Sequence, residues 1–169
     1  MRRRIYLLMA LCVGLLGCGL SVPEPTGGGL VDTRYVAMTE PAGALPVGLV
    51  RQSGVMDQTV TLEGIVGGTP YPFIEGLAAF TIVDPSVPFC RPAEGCPTPW
   101  DYCCAQDQVR QNIATVKVVD DSGRPVTVDA RELLGIKGLS SVVVQGDIQR
   151  DDHGNLTVVT NKVFVRPSE

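Results

Sequence analysis

Four cysteines lie within fifteen residues of one another, and their chemistry stands out most in this chain. They follow the spacing C-x5-C-x6-C-C and are Cys90, Cys96, Cys103 and Cys104. In an oxidising compartment, an even number of clustered cysteines is first interpreted as disulfides. Because a bond between adjacent cysteines strains disulfide geometry, we predict bridges that link Cys103 and Cys104 to Cys90 and Cys96, in either order.

Metal or redox chemistry is the alternative for the same side chains. Four thiolates can hold zinc or iron, two or three of them can hold copper, and the prolines around Cys96 can expose backbone amides to the sulfurs. The spacing lacks the C-x2-C pairs of zinc ribbons, and two adjacent cysteines reach one ion only through an unusual turn. A redox-active dithiol is a further interpretation. We expect no cofactor if the cysteines are disulfides, and zinc, iron or copper if they are reduced.

Two aromatic residues and an acid, Trp100, Asp101 and Tyr102, precede the cysteine pair directly. Their aromatic area can cover the cross-links, since a small cysteine-rich loop has little other core. Alternatively, they form a ligand contact in which the rings stack on a ligand and Asp101 accepts a hydrogen bond from it. Both interpretations stay open from the sequence.

No sequence pattern indicates residues for acid, base or nucleophilic catalysis. The single histidine, His153, lies in the turn Asp-Asp-His-Gly-Asn, and no serine stands in a G-x-S-x-G setting. Patterns for a zinc protease, a phosphate-binding loop or a dinucleotide site do not occur. The acidic runs 120–123 and 151–155 lack calcium-loop spacing and are interpreted as hairpin turns. We therefore predict no catalytic site and favour a protein that is not an enzyme.

The N-terminus has the pattern of a targeting signal. Three arginines at positions 2–4 precede the 12-residue apolar run 5–16, which is shorter than the roughly 20 residues of a membrane-spanning helix. Leu15-Leu16-Gly17-Cys18 resembles the lipobox of bacterial lipoproteins, and the segment 96–104 is similar to one found in small bacterial lipoproteins. The resemblance implies cleavage of a signal peptide at 1–17, acylation (palmitate) of Cys18, and an extracytoplasmic protein of the cell envelope or periplasm. An ordinary secretory signal remains the alternative.

The charge balance argues against nucleic acid as a partner. Residues 1–17 hold three arginines and no acid, so the remaining chain carries 11 basic and 18 acidic side chains. Nucleic-acid binding without sequence preference needs basic side chains that displace counterions, and no basic run follows residue 4. We expect the membrane, through the lipid, and an unknown protein or small ligand as partners.

Behind the signal, the chain divides into a tether and one domain. Residues 18–56 are rich in glycine and proline and predict a flexible tether, of which 45–50 can still dock on the domain. Residues 57–167 show short β-branched runs separated by turn residues, which indicates an all-β domain. Strands are expected at 59–66, 78–84, 113–119, 126–129, 141–149 and 156–165, with a short helix at 130–136 that Asp129 caps. The proline-rich segment 85–112 is a long insertion, and it holds all four cysteines.

The order of these elements resembles the oligonucleotide/oligosaccharide-binding (OB) fold. The resemblance rests on one short helix before a final hairpin, and on the segments 60–66 and 142–148, each with a mid-strand glycine that permits the sharp bend of a small barrel. It implies an all-β, OB-like five-stranded barrel with a cysteine-rich loop insertion. A small β-sandwich is the alternative. The expected function is a non-catalytic binding or interaction domain on a membrane anchor, and the alternative is a metal-binding or thiol-redox protein.

Overall fold

The computed structural model describes residues 31–56, 58–90 and 102–168, and strands dominate them. In this part of the chain three short helices, α1 (Val47–Ser53), α2 (Gln106–Gln111) and α3 (Ala130–Leu134), and a 3-10 turn, Cys103–Ala105, accompany the strands. The strands are β1 (Leu45–Pro46), β2 (Thr59–Val66), β3 (Ala79–Val83), β4 (Ile113–Val118), β5 (Ser141–Arg150), β6 (Leu156–Thr160) and β7 (Val163–Val165).

Five of the strands close into a barrel. The pairs β2–β3, β3–β4, β5–β6 and β2–β5 are antiparallel, and the parallel pair β4–β6 completes the ring. β1 adds to β2, and β7 adds to β5. Closure of five strands with one short helix between β4 and β5 confirms the prediction of a small OB-like barrel.

The barrel core follows the alternation of each strand. Leu62 and Val66 of β2, Phe80 and Ile82 of β3, and Val116 of β4 are fully buried in one hydrophobic cluster. Their neighbours along each strand point to the other face, because successive side chains in a strand alternate. The outward side chains of β3 and β4 can therefore pack against the insertion.

Two glycines sit where the barrel wall is tightest. A Cβ added to Gly64 would lie 2.8 Å from the Cβ of Ile82, and one added to Gly146 would collide with the carbonyl oxygen of Val159. These are mid-strand positions of β2 and β5, so both glycines mark close approaches between neighbouring parts of the barrel.

Helix α3 matches its sequence signals. The Asp129 carboxylate accepts a hydrogen bond from the Arg131 backbone amide at 2.9 Å, and Gly135 ends the helix in the left-handed region at φ 67°. Leu133 and Leu134 contribute to the barrel core. The helix begins at residue 130, as predicted, and ends two residues before the end of the predicted span 130–136.

Two predicted strands differ from the structure. Residues 126–129 form no strand, and the turn after β4 is closed by a bridge between Val119 and Pro125 and by backbone hydrogen bonds such as the one from the Asp120 amide to the Arg124 carbonyl at 2.8 Å. The predicted strand 156–165 is interrupted between β6 and β7. There the buried Thr160 hydroxyl lies 2.7 Å from the carbonyl oxygens of Gln145 and Lys162, which holds the chain in a bend.

The described part of the segment 18–56 packs on the barrel. Val47 and Val50, three residues apart on one face of α1, are buried in the barrel core. The buried Asp84 carboxylate accepts a hydrogen bond from the Gly48 amide at 2.8 Å, and Arg150 donates to the Val50 carbonyl at 2.9 Å. The packed unit therefore includes residues before position 57, and Val47, Gly48 and Val50 lie within 45–50, the stretch of the predicted tether that the sequence left able to dock.

None of the helices in the described ranges has the length and apolar character to cross a bilayer. The predicted signal peptide 1–17 and Cys18 lie outside the described residues.

Candidate metal centre

A second, smaller hydrophobic cluster supports the two ends of the cysteine-rich insertion. Since Ile82 and Ala114 belong to the barrel core, their neighbours Val83 and Ile113 lie on the outer face of β3 and β4. The insertion packs its own apolar side chains against this face. The cluster consists of Val83, Val87, Tyr102, Ala105 and Val109, with Phe89, Ile113 and Leu139 partly buried against it.

An aromatic pair joins the two segments that carry the cysteines. The ring centroids of Phe89 and Tyr102 lie 5.8 Å apart at an interplanar angle of 52°, which is within the range of favourable aromatic contacts. Phe89 directly precedes Cys90, and Tyr102 directly precedes Cys103. The contact therefore brings the chain at Cys90 next to the chain at Cys103.

A tight turn orients the adjacent cysteines. The Ala105 amide donates to the Tyr102 carbonyl at 2.8 Å, and the Gln106 side chain donates to the same oxygen at 3.1 Å. This 3-10 turn brings the sulfurs of Cys103 and Cys104 to 3.5 Å from each other. It is the unusual turn that the sequence analysis required for two adjacent cysteines to reach one ion.

Three sulfur atoms converge at this turn. The Sγ atoms of Cys90, Cys103 and Cys104 all lie within 4.8 Å of one another. Thiolates that share a tetrahedral ion at about 2.3 Å stand about 3.8 Å apart, so the 3.5 Å between the sulfurs of Cys103 and Cys104 is close to what zinc requires, and the 4.8 Å limit of the group lies about 1 Å above it. In the described ranges this is the one group of three or more histidine, cysteine or acidic side chains arranged in this way. The three cysteines could hold a metal.

Disulfide bonds do not link the described cysteines to one another, which corrects the predicted bridge between Cys90 and the adjacent pair. The sulfurs of Cys90, Cys103 and Cys104 approach one another without bonding to each other. The separation of 3.5 Å between the sulfurs of Cys103 and Cys104 is far from the roughly 2.05 Å of a covalent bond. The physical reason is that packing of Phe89 on Tyr102 already holds the segments together, so cross-links are not needed for the cysteines to approach. Cys96, the other predicted partner, lies outside the described residues.

The thiols influence one another's ionisation. The hydrogen bond with Cys103 raises the pKa of Cys104, and the charges of Cys103 and Cys90 raise it further. Three thiolates without a cation between them repel one another. A bound cation would remove this repulsion and favour the deprotonated form that binds metal.

Tyr102 is the anchor of the site and not an acid or base. Its side chain is fully buried, and burial raises its pKa to about 12. Its hydroxyl has no hydrogen-bond partner among the parts of the protein that the structure describes. Of the two roles open to Tyr102 from the sequence, the structure shows packing. Trp100 and Asp101 lie outside the described residues.

Acidic turns elsewhere are satisfied by their own loops. The Asp120 carboxylate accepts from the Ser122 hydroxyl at 2.5 Å, and with the backbone amide of Arg124 this lowers the pKa of Asp120 to about 2. His153 is exposed, and its backbone amide donates to Asp151. Both runs are turns, as predicted.

Phe89 is the residue of the site that the sequence analysis did not single out. The signal was present, because an aromatic residue stands immediately before the first cysteine and immediately before the cysteine pair.

The chain matches no protein-family model and no curated protein. What is inferred about its activity therefore depends on the geometry around the three sulfurs.

Proposed function

We propose that this protein binds a soft metal ion through cysteine thiolates, on a barrel that a lipid on Cys18 attaches to a membrane outside the cytoplasm. The observation that carries the proposal is the convergence of three sulfur atoms within 4.8 Å. Zinc, copper and iron are the ions whose protein sites use thiolates in this way. The barrel then acts as a rigid carrier for the metal site.

Metal binding fits the cluster better than dithiol redox chemistry does. A redox couple uses two sulfurs, for which Cys90 with either adjacent cysteine would suffice, whereas here three sulfurs converge, as a shared ion requires. A bond between Cys103 and Cys104 would require strained geometry. A cation shared by the three thiolates requires no new backbone conformation, because the turn already presents them together.

Titration of the reduced protein with metal tests the proposal. We expect one zinc or copper(I) ion per chain, and a loss of affinity of about tenfold or more in Cys90→Ser, Cys103→Ser and Cys104→Ser. Gln111→Ser, at the exposed end of α2, is the control and should leave affinity unchanged. Absence of stoichiometric metal, or equal affinity in the cysteine variants and the control, would contradict the proposal. A count of free thiols in the metal-free chain shows whether a failure to bind metal is due to disulfide formation. Free thiols without bound metal would contradict the proposal.

Cys96 extends the same experiment. It stands six residues after Cys90 in the sequence, and the sequence analysis proposed it as a fourth ligand. If it supplies a thiolate, Cys96→Ser should weaken zinc binding as the other cysteine variants do. Unchanged affinity would leave the three described cysteines as the thiolate set.

The membrane anchor is tested separately. The proposal predicts that Cys18→Ser releases the protein from membranes or blocks its processing, because the thiol is the acylation site. The single acyl-bearing residue is at the N-terminus of the proposed mature chain, so substitution should leave the barrel folded. Normal processing with unchanged membrane retention would exclude the lipid anchor.

A further inference from the structure

The position of the cysteine cluster also bears on what happens to a bound ion. Cys103 and Cys104 are exposed, and Cys90 is half-buried. Structural zinc sites are closed, with all coordination positions filled by protein and the ion needed for folding. Here an approaching molecule could reach an ion from the side of Cys103 and Cys104.

The barrel does not depend on the cluster for its core. Phe80 and Ile82 pack in the barrel core, while Tyr102, Val87 and Val109 belong to the separate cluster under the insertion. The barrel closes through backbone pairing between strands and has no residue of the cysteine turn in it. Loss of an ion should therefore leave the barrel folded.

The turn is also held by contacts within the protein. The Phe89–Tyr102 contact and the two hydrogen bonds to the Tyr102 carbonyl support the backbone that presents the three sulfurs. An ion can then be accepted or given up without ordering or releasing a long segment, and this saves the conformational entropy that such ordering costs.

From these three observations we infer that the cluster transfers its ion directly to a thiol-bearing acceptor. The transfer passes through a transient complex in which sulfurs of the cluster and of the acceptor both contact the metal. This inference rests on the proposed metal binding. A thiolate of the acceptor forms a bond to the ion, and the bond from the ion to Cys103 or Cys104 then breaks. The proton that the acceptor thiol gives up passes to the departing cysteine, so charge and atoms balance and no electron is transferred.

The rate law of metal release distinguishes this from simple loss of the ion. The full chain is loaded with zinc, and release is followed with a chromogenic zinc indicator at increasing concentrations of dithiothreitol. Attack by the acceptor predicts a release rate that rises in proportion to its concentration, about tenfold for a tenfold increase. A rate that does not depend on dithiothreitol shows that the ion leaves on its own, and this overturns the inference while the proposed metal binding stands. Failure of the chain to take up zinc overturns the proposed function itself.

A second measurement tests the independence of the barrel. The far-UV circular dichroism of the metal-free protein should keep the β signal of the zinc-loaded protein, because the barrel core excludes the cluster. Collapse of that signal on zinc removal would make the ion a structural one and would overturn the inference. Cys103→Ser and Cys104→Ser, which would hold the ion through one thiolate fewer, should release it faster at a given dithiothreitol concentration, and the Gln111→Ser control should not.

Discussion

Single side chains decide whether the cysteine turn can bind metal, and the ionisation of Cys104 is the most sensitive reporter. Its neighbours Cys103 and Cys90 raise its pKa, so a smaller fraction is thiolate near neutral pH than for an ordinary cysteine. Removing the first of these neighbours lowers the pKa again. Metal affinity should consequently fall as the pH decreases, since protons compete with the ion for the sulfurs.

We predict that Cys103→Ala speeds alkylation of Cys104 in the metal-free protein at neutral pH. Iodoacetamide labelling with site-resolved mass spectrometry measures this rate. The same variant at a pH well above the thiol range is the control, because all thiols are then ionised and the difference should disappear. Equal rates at neutral pH would show that Cys103 does not influence Cys104.

The aromatic pair gives a second test at this scale. Phe89→Ala removes the ring that packs on Tyr102, so the sulfurs of Cys90 and Cys103 are no longer held together, and zinc affinity should fall by about tenfold. Phe73→Ala is the matched control. It removes a ring that packs on Phe80, with centroids 6.4 Å apart, away from the cysteines.

Both aromatic variants should lose stability, but only Phe89→Ala should lose metal affinity. Zinc titration together with urea unfolding separates the two effects. A parallel loss of affinity in Phe73→Ala would mean that binding follows general stability and not the position of the thiols.

At the scale of strands and turns, the tightest packing occurs where β5 passes β6. Gly146→Ala would place a Cβ against the carbonyl oxygen of Val159, and a backbone atom in a closed barrel has little freedom to move. Overpacking of this kind costs roughly 1–3 kcal/mol. Gly138→Ala is the control, because nothing lies within 4 Å of its added Cβ. Urea unfolding should rank the two variants in this order, and equal midpoints would contradict the close approach.

Strands and the capped helix were predictable because their signals are local. The bounds of β2 match the predicted span 59–66, and Asp129 and Gly135 mark the ends of α3 as expected. The segment 126–129 was predicted as a strand from its valines, but its pairing depends on a partner that the sequence does not reveal.

The cysteine site was predictable only in part, for a similar reason. The composition indicated cross-linking or metal chemistry at Cys90, Cys103 and Cys104, whereas the choice depends on a contact between Phe89 and Tyr102, thirteen residues apart. Long-range packing of this kind leaves no periodic pattern. Asp84 is a related case, because its buried carboxylate accepts from the amide of Gly48, which lies in the stretch 45–50 that the sequence left able to dock, and no local pattern identifies Asp84 as the partner.

For the whole molecule, the consequence is that the folded unit starts before the barrel does. A chain that begins at residue 57 lacks Val47 and Val50, which are buried in the barrel core, and burial of one such side chain contributes about 1.5–3 kcal/mol. We predict that this chain is less stable by several kcal/mol than one that begins at residue 31. Equal urea midpoints for the two would show that α1 does not support the barrel.

A pair of single substitutions serves as the control for this truncation. Val50→Ala removes part of a side chain that is 2% exposed, and Leu49→Ala does the same at a position that is 55% exposed. Only the first should lower the free energy of unfolding appreciably. Similar losses would mean that the segment acts through something other than its buried face.

The pairing of β2 with β5 bears on how the protein matures. Thr59 lies opposite Asp147, so on a chain that emerges N-terminus first the ring of strands stays open until nearly the whole sequence has appeared. The cysteines at 90–104 emerge well before that point, when the outer face of β3 and β4 has not yet formed. If the protein is exported as proposed, the thiols would meet oxidants during this interval, before the turn presents them together to an ion. The yield of metal-binding protein would then depend on whether the strands close before the thiols are oxidised. An ion bound early by the nascent chain would protect the thiols.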